Sequence, residues 1–178
     1  MPTHAECLRT YTEITQCTKS CDGIVNDRAR GLIPRSFYWS STQTRVTLLV
    51  VSKNPANAPD WESTLYARTL PNELASVHYD VAHEVFRGVR SVPSNYHVNL
   101  VKRVAAVLGV PATPEAVFMH AAMTALAKFQ SKDSKTAKIP DLTFTTCAET
   151  HFLEEVRLFR PIYLLALGKE PYDVLTRP

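Results

Sequence analysis

One short run constrains this chain more than any other stretch: Val46-Thr47-Leu48-Leu49-Val50-Val51 shows no apolar/polar alternation and stops abruptly in Ser52-Lys53-Asn54-Pro55-Ala56-Asn57. A strand of that kind suits a parallel sheet covered on both faces better than a half-exposed antiparallel one. The loop after it then leaves the carboxyl end of a central strand, where open α/β sheets bind ligands. Pro55 holds the residue before it extended, so the Asn54 carboxamide sits on a stiffened backbone and is suited to orienting a water. The same residues also suit a plain polar turn, because Asn-Pro commonly starts one.

A second stretch repeats the design. Arg160-Pro161-Ile162-Tyr163-Leu164-Leu165-Ala166-Leu167-Gly168-Lys169 is an apolar run closed by a glycine turn and followed by a helical start, which predicts another buried parallel strand. Before it, Phe152, Val156 and Phe159 have helical spacing, with Glu149, Glu154 and Glu155 expected to face outward. Helix, strand, turn, helix, added to the first strand, predicts an α/β chain: a three-layer α/β/α fold with a central, mostly parallel sheet.

Further helices are expected around Leu8, Tyr11 and Ile14, over Glu62–Tyr66 and over Leu74–Arg87. The clearest is Asn95–Leu108, with Ser94 or Asn95 as its cap, Val98, Val101, Ala105 and Leu108 as its stripe, and Gly109 as its stop. Thr113-Pro114-Glu115 opens like a helix, yet Ala116–Met119 is short enough to be a strand that ends at His120. Lys128–Thr146 is polar and lysine-rich, as a surface loop would be.

A length of 178 residues suits a single domain, 1–178. No apolar run approaches the ~18 residues of a membrane span, and Met1–Cys7 has neither the basic cluster nor the apolar core of a secretion signal. The expectation is a cytoplasmic protein with no membrane partner. Net charge is only +3, but basic residues gather at Arg28, Arg30 and Arg35, at Arg87, Arg90, Lys102 and Arg103, and at Lys128, Lys132, Lys135 and Lys138. Such patches suit either a phosphate backbone or ordinary solvated faces. In a cytosolic protein Cys7, Cys17, Cys21 and Cys147 point to metal binding or free thiols rather than disulfides. His78, His83, His97, His120 and His151 stand singly, without metal-ligand spacing.

Three stretches carry a family resemblance, which covers roughly residues 15 to 175. Ser52-Lys53-Asn54-Pro55-Ala56, Thr124-Ala125-Leu126-Ala127-Lys128-Phe129 and the region from Cys147 through Phe152-Leu153, Glu155 and Arg160-Pro161 to Leu167-Gly168 resemble the uracil-DNA glycosylase superfamily, in its iron-sulfur-type branch. The chain departs from the pattern where Ser52 and Ala56 replace glycines, Ala125 an asparagine and Phe129 a cysteine. The resemblance places the family's last strand and loop beyond Pro178.

The resemblance implies a DNA-repair hydrolase of base excision, which breaks the N-glycosidic bond of uracil or another damaged base. Asn54 is the catalytic candidate, positioning water. Ser52, Lys53, Pro55, Ala56, His120, Lys128, Gly168 and Lys169 are candidates for contacting base or DNA. Lys53 suits a phosphate contact better than a covalent amine. Tyr38, Trp39 and Tyr66 are candidates to stack on a flipped base, or else core. Cys17, Cys21 and Cys147 match three ligand regions of a 4Fe-4S cluster, with Cys7 as a fourth in place of Phe129; zinc on the same thiolates and buried free cysteines are the alternatives. The expected partner is DNA, bound by a monomer. Competing classes are a non-catalytic nucleic-acid-binding or sensing module and a nucleoside hydrolase.

Overall fold

The computed structural model describes residues 2–39, 45–55, 58–86, 95–132 and 138–177. Ala56, the basic residues Arg87, Arg90 and Lys135, and the candidate cap Ser94 lie outside the described residues.

Three strands, β1 (Leu48–Ser52), β2 (Ala121–Ala125) and β3 (Tyr163–Leu167), form a parallel sheet in the order β2-β1-β3. Every residue of β1 is buried. Its lack of alternation has a direct cause, because successive side chains enter opposite cores. Leu49 and Val51 pack with Tyr11, Phe144, Phe152 and Phe159, which come from α1 (His4–Thr15), α6 (Asp141–Cys147), a π-helical turn (Ala148–Phe152) and α7 (Leu153–Phe159). Leu48 and Val50 pack with Leu100, Val101, Val104 and Phe118 of α4 (Asn95–Leu108) and α5 (Pro114–Phe118). The result is the expected three-layer α/β/α arrangement. A third cluster joins Ile33 to Tyr66, Leu74 and Val81 of α2 (Asp60–Arg68) and α3 (Leu74–Phe86), and α8 (Lys169–Leu175) follows β3.

Several local expectations are corrected. The run Ala116–Met119 is helical through Phe118: Thr113 accepts the Ala116 N–H and Pro114 opens the first turn, so β2 begins only at Ala121. The buried face of α4 is Leu100, Val101, Val104 and Ala105, while Val98 is exposed. Lys128–Thr146 is not a surface loop throughout, since Lys128 and Ile139 are buried and Asp141 starts α6. Glu155 points into the core. Tyr38, Trp39 and Tyr66 are all core residues. Among the described residues β3 pairs with β1 alone and so stands at the edge of the sheet, and its Tyr163 and Leu164 are 64% and 46% exposed. Among the described residues no helix is long and apolar enough to cross a membrane.

Candidate functional site

Strand register brings three chain segments to one pole of the sheet. Ser52 stands level with Ala125 on one side and Leu167 on the other, so Lys53-Asn54-Pro55, Leu126-Ala127-Lys128 and Gly168-Lys169-Glu170 leave the sheet together. The first two are stitched by backbone: Leu126 N–H donates to Ser52 C=O at 2.9 Å and Ala127 N–H to Lys53 C=O at 3.0 Å. The Ser52 hydroxyl donates to Thr124 C=O at 3.1 Å and is buried, so this side chain serves the sheet. Ala58 N–H donates to the Gln130 side chain at 3.0 Å, which ties the far side of the Asn-Pro loop to the exit from β2.

Asn54 is half-buried, and its Nδ2 donates to Pro55 C=O at 3.1 Å. A carbonyl can only accept, so this bond fixes which end of the amide is nitrogen. Oδ1 then remains as an acceptor with no protein partner among the described residues. Lys53 Nζ pairs with Glu170 Oε1 at 2.8 Å across the mouth. That ammonium, with a contribution from the Glu170 backbone, holds the Glu170 carboxyl below its ordinary value. Gly168 has φ 107° at the start of α8, a backbone that glycine adopts without a Cβ penalty. Lys169 is exposed and paired with Asp173 at 2.6 Å. His120 is not at this pole: its carbonyl accepts the Thr47 N–H at 2.7 Å, ahead of β2, about 16 Å of strand away.

Behind the mouth lies a polar network without water access. Lys128 Nζ meets Glu155 Oε2 at 2.6 Å and Thr124 Oγ1 at 2.7 Å, and the Thr124 hydroxyl donates to Glu155 Oε2 at 2.7 Å. Both charged side chains are fully buried. Burial pushes the Lys128 ammonium down and the Glu155 carboxyl up, and each is pulled back by the other. Glu155 Oε1 has no hydrogen-bond partner among the described residues. The Lys128 carbonyl accepts the Arg35 N–H at 2.7 Å, and the Lys128 backbone amide opposes the burial that raises the Cys147 thiol. Lys128 is therefore a hub of the core, not a side chain available to DNA.

Cys147 leads to a second feature, a narrow cleft with no room for a water molecule, lined by Cys17, Lys19, Cys21, Phe129, Thr146, Cys147, Thr150 and His151. Three of the four cysteines thus share one wall system, and Cys7 is not among the lining residues. Cys7 lies buried in α1, where burial and Glu6 push its thiol up to about 12. Burial, then Cys17, raises the Cys21 thiol; burial, then Cys21, raises that of Cys147, with the Lys128 N–H opposing. The loop is anchored by Lys19 Nζ on Thr150 Oγ1 at 2.8 Å and Asn26 Nδ2 on Cys17 C=O at 3.0 Å. Gly23, with φ 77°, lets the backbone pass where a Cβ would lie 2.8 Å from Pro140 Cδ.

His151 closes this cleft from the π-helical turn, four residues after Cys147 and so on a shared helical face. Burial, then Lys128 and Lys19, pushes its imidazole down to about 4. Its Nε2 is buried and has no hydrogen-bond partner among the described residues. Among those residues no group of three or more His, Cys, Asp or Glu side chains is placed so that it could hold a metal ion.

Sequence reasoning missed Glu170, Gln130, Glu155 as a buried acid, and His151. Only His151 left a local signal, its helical spacing from Cys147; the others are positioned by register and packing between distant segments. No family model and no curated protein matches the chain.

Proposed function

We propose that this chain is a DNA N-glycosylase-like hydrolase that acts on uracil or another damaged base. The observation that carries the proposal is Asn54: a half-buried carboxamide at the carboxyl end of the central parallel strand, with Nδ2 held by Pro55 C=O and Oδ1 without a protein partner among the described residues. The resemblance of Ser52–Pro55, Thr124–Phe129 and Cys147–Gly168 to the uracil-DNA glycosylase superfamily supports the same reading.

Breaking a deoxyribosyl C–N bond needs a water at the anomeric carbon, stabilisation of a cationic sugar and hydrogen bonds to the departing base. Asn54 Oδ1 accepts from the water and orients it; an uncharged amide positions rather than deprotonates. A flipped base would enter beside the exit from β2, where Ala125 is 6% exposed and presents no side-chain group to its edge. The 4Fe-4S cluster implied by the resemblance takes no part in this step.

A second reading is a nucleic-acid-binding module without the reaction; in it Lys53, whose ammonium is held by Glu170 at 2.8 Å, would have to leave that partner to reach a phosphate. A single-stranded oligonucleotide with one uracil separates the readings. Conversion to an abasic product under single-turnover conditions supports the hydrolase, and binding without product supports the module. Release of uracil from free deoxyuridine but not from DNA would make the protein a nucleoside hydrolase.

A further inference from the structure

A wide cleft lies at the pole of the sheet opposite Asn54, between α1 and α7 and beside the segments that enter β1 and β3. It holds about 880 Å³, within the range of small-ligand sites. Buried Val46 and Phe159 give it some apolar lining, and the rest is largely charged. Four arginines line it: Arg9 from α1, Arg45 from the approach to β1, Arg157 from α7 and Arg160 from the turn into β3.

Three glutamates line it as well, and two of them are already committed. Glu6 accepts the Thr3 N–H at 2.7 Å and the Thr3 hydroxyl at 2.9 Å in the cap of α1, and Glu154 pairs with Arg157. Those Thr3 bonds, with a lesser pull from Arg9, hold the Glu6 carboxyl below its ordinary value. Among the described residues Arg9, Arg45 and Arg160 have no ion pair or side-chain hydrogen bond, which leaves three guanidiniums facing the single carboxylate of Glu13. They come from three separate segments, so folding and not a local charge run gathers them. Unpaired guanidinium forks suit phosphate oxygens, which they bind bidentately. Arg160 supplies a further observation. With φ 44° and ψ 55° it closes α7 in the left-handed region, the one non-glycine residue with positive φ among the described residues. Glycine is the usual occupant of such a cap, so an arginine there keeps its charge at the cleft against the backbone's preference.

We propose that this cleft binds the phosphate chain of a free di- or triphosphate compound through Arg9, Arg45 and Arg160. A nucleic-acid backbone fits less well, because Glu13 and Glu154 interrupt the basic lining and a strand bound at Asn54 lies at the other pole. The site stands whether or not Asn54 is catalytic.

The test is calorimetric titration of the full chain with inorganic pyrophosphate and tripolyphosphate, then with a nucleoside triphosphate and a single-stranded oligonucleotide. Saturable one-to-one binding of tripolyphosphate, displaced by the nucleoside triphosphate, is expected. Arg9→Gln, Arg45→Gln and Arg160→Gln should each weaken it roughly tenfold. Glu13→Gln should tighten it by removing a like charge, and Lys102→Gln, which removes an exposed cation of α4, should leave it unchanged. Arg160→Gly separates binding from folding: it should hold or raise Tm, because glycine suits the left-handed cap, while weakening tripolyphosphate as Arg160→Gln does. No saturable binding of either inorganic polyphosphate, full binding in the three Arg→Gln variants, or equal weakening by Lys102→Gln would each overturn the proposal. So would an oligonucleotide that binds in an Arg45-dependent way where tripolyphosphate does not, since that would make the cleft a nucleic-acid track.

Discussion

Two lysines leave the carboxyl ends of neighbouring strands and meet opposite fates. Lys53, one residue past β1, reaches Glu170 across the open mouth, with the two side chains 32% and 48% exposed. Lys128, three residues past β2, reaches Glu155 with both side chains fully buried. The bond lengths are alike, 2.8 and 2.6 Å, but the media are not. Water screens the first pair and solvates either partner if the other is lost, so such pairs are worth about 0–1 kcal/mol. The second pair has no such refuge; removing one partner strands a charge and costs about 3–5 kcal/mol, although replacing both by apolar groups is often neutral. The lesson is that a lysine's position relative to a strand end says little about its role, and burial says nearly everything.

The largest effect expected is on that buried pair. Lys128→Met should lower unfolding stability by about 3–5 kcal/mol in urea, and adding Glu155→Leu should recover most of the loss. A cost below about 1 kcal/mol for the single change would place Lys128 with Lys53 and erase the contrast.

At the mouth, Asn54→Ala should lower the single-turnover rate on a uracil oligonucleotide roughly a hundredfold, about 3 kcal/mol of barrier. Stability should move by no more than about 0.5 kcal/mol, because only a local amide bond is lost. An unaltered rate would reduce the Asn-Pro loop to a turn.

A third prediction concerns His78, buried beside Tyr11 and held by Ser36 N–H on Nε2 at 3.0 Å and by Tyr66 OH at Nδ1, 2.9 Å. Burial, helped by the Arg35 charge, pushes its imidazole down to about 3. The folded state therefore refuses a proton that the unfolded chain accepts near pH 6.5. The resulting stability is complete above about pH 6.5 and is lost as pH falls toward 3, at up to about 1.4 kcal/mol per pH unit. Between pH 6.5 and 5 that amounts to about 2 kcal/mol. His78→Gln should flatten this slope in urea titrations at a series of pH values; an unchanged slope would assign it to other groups.

The smallest effect belongs to the rim pair. Glu170→Gln should cost less than about 1 kcal/mol of stability. It should also free Lys53, strengthening DNA binding and steepening its logarithmic salt dependence by about one unit. Unchanged salt dependence would show that Lys53 makes no phosphate contact even when released.

How much of this was readable from residues alone follows the range of the interaction. The helix Asn95–Leu108 was legible because its start, its period and its glycine stop are local. The rotation of its buried face was not, since Leu100 and Val104 are core only where β1 and α5 lie against them. The mouth was legible as a strand end followed by Asn-Pro, whereas Glu170 enters it only through the register of β3 on β1.

The sequence by itself determined that two apolar runs are strands of a parallel sheet layered with helices, and that Asn54 follows the first of them. Hydrophobic content and period 3.6 or 2 are properties of neighbouring residues, so no distant partner is needed to read them. Only the tertiary structure decided that β3 lies at the edge of the described sheet, that Lys128 is interior, and that Cys17, Cys21 and Cys147 share a cleft with His151 while Cys7 does not line it. Each of those facts depends on which segments, far apart in the chain, exclude water from one another, and a linear pattern carries no record of that.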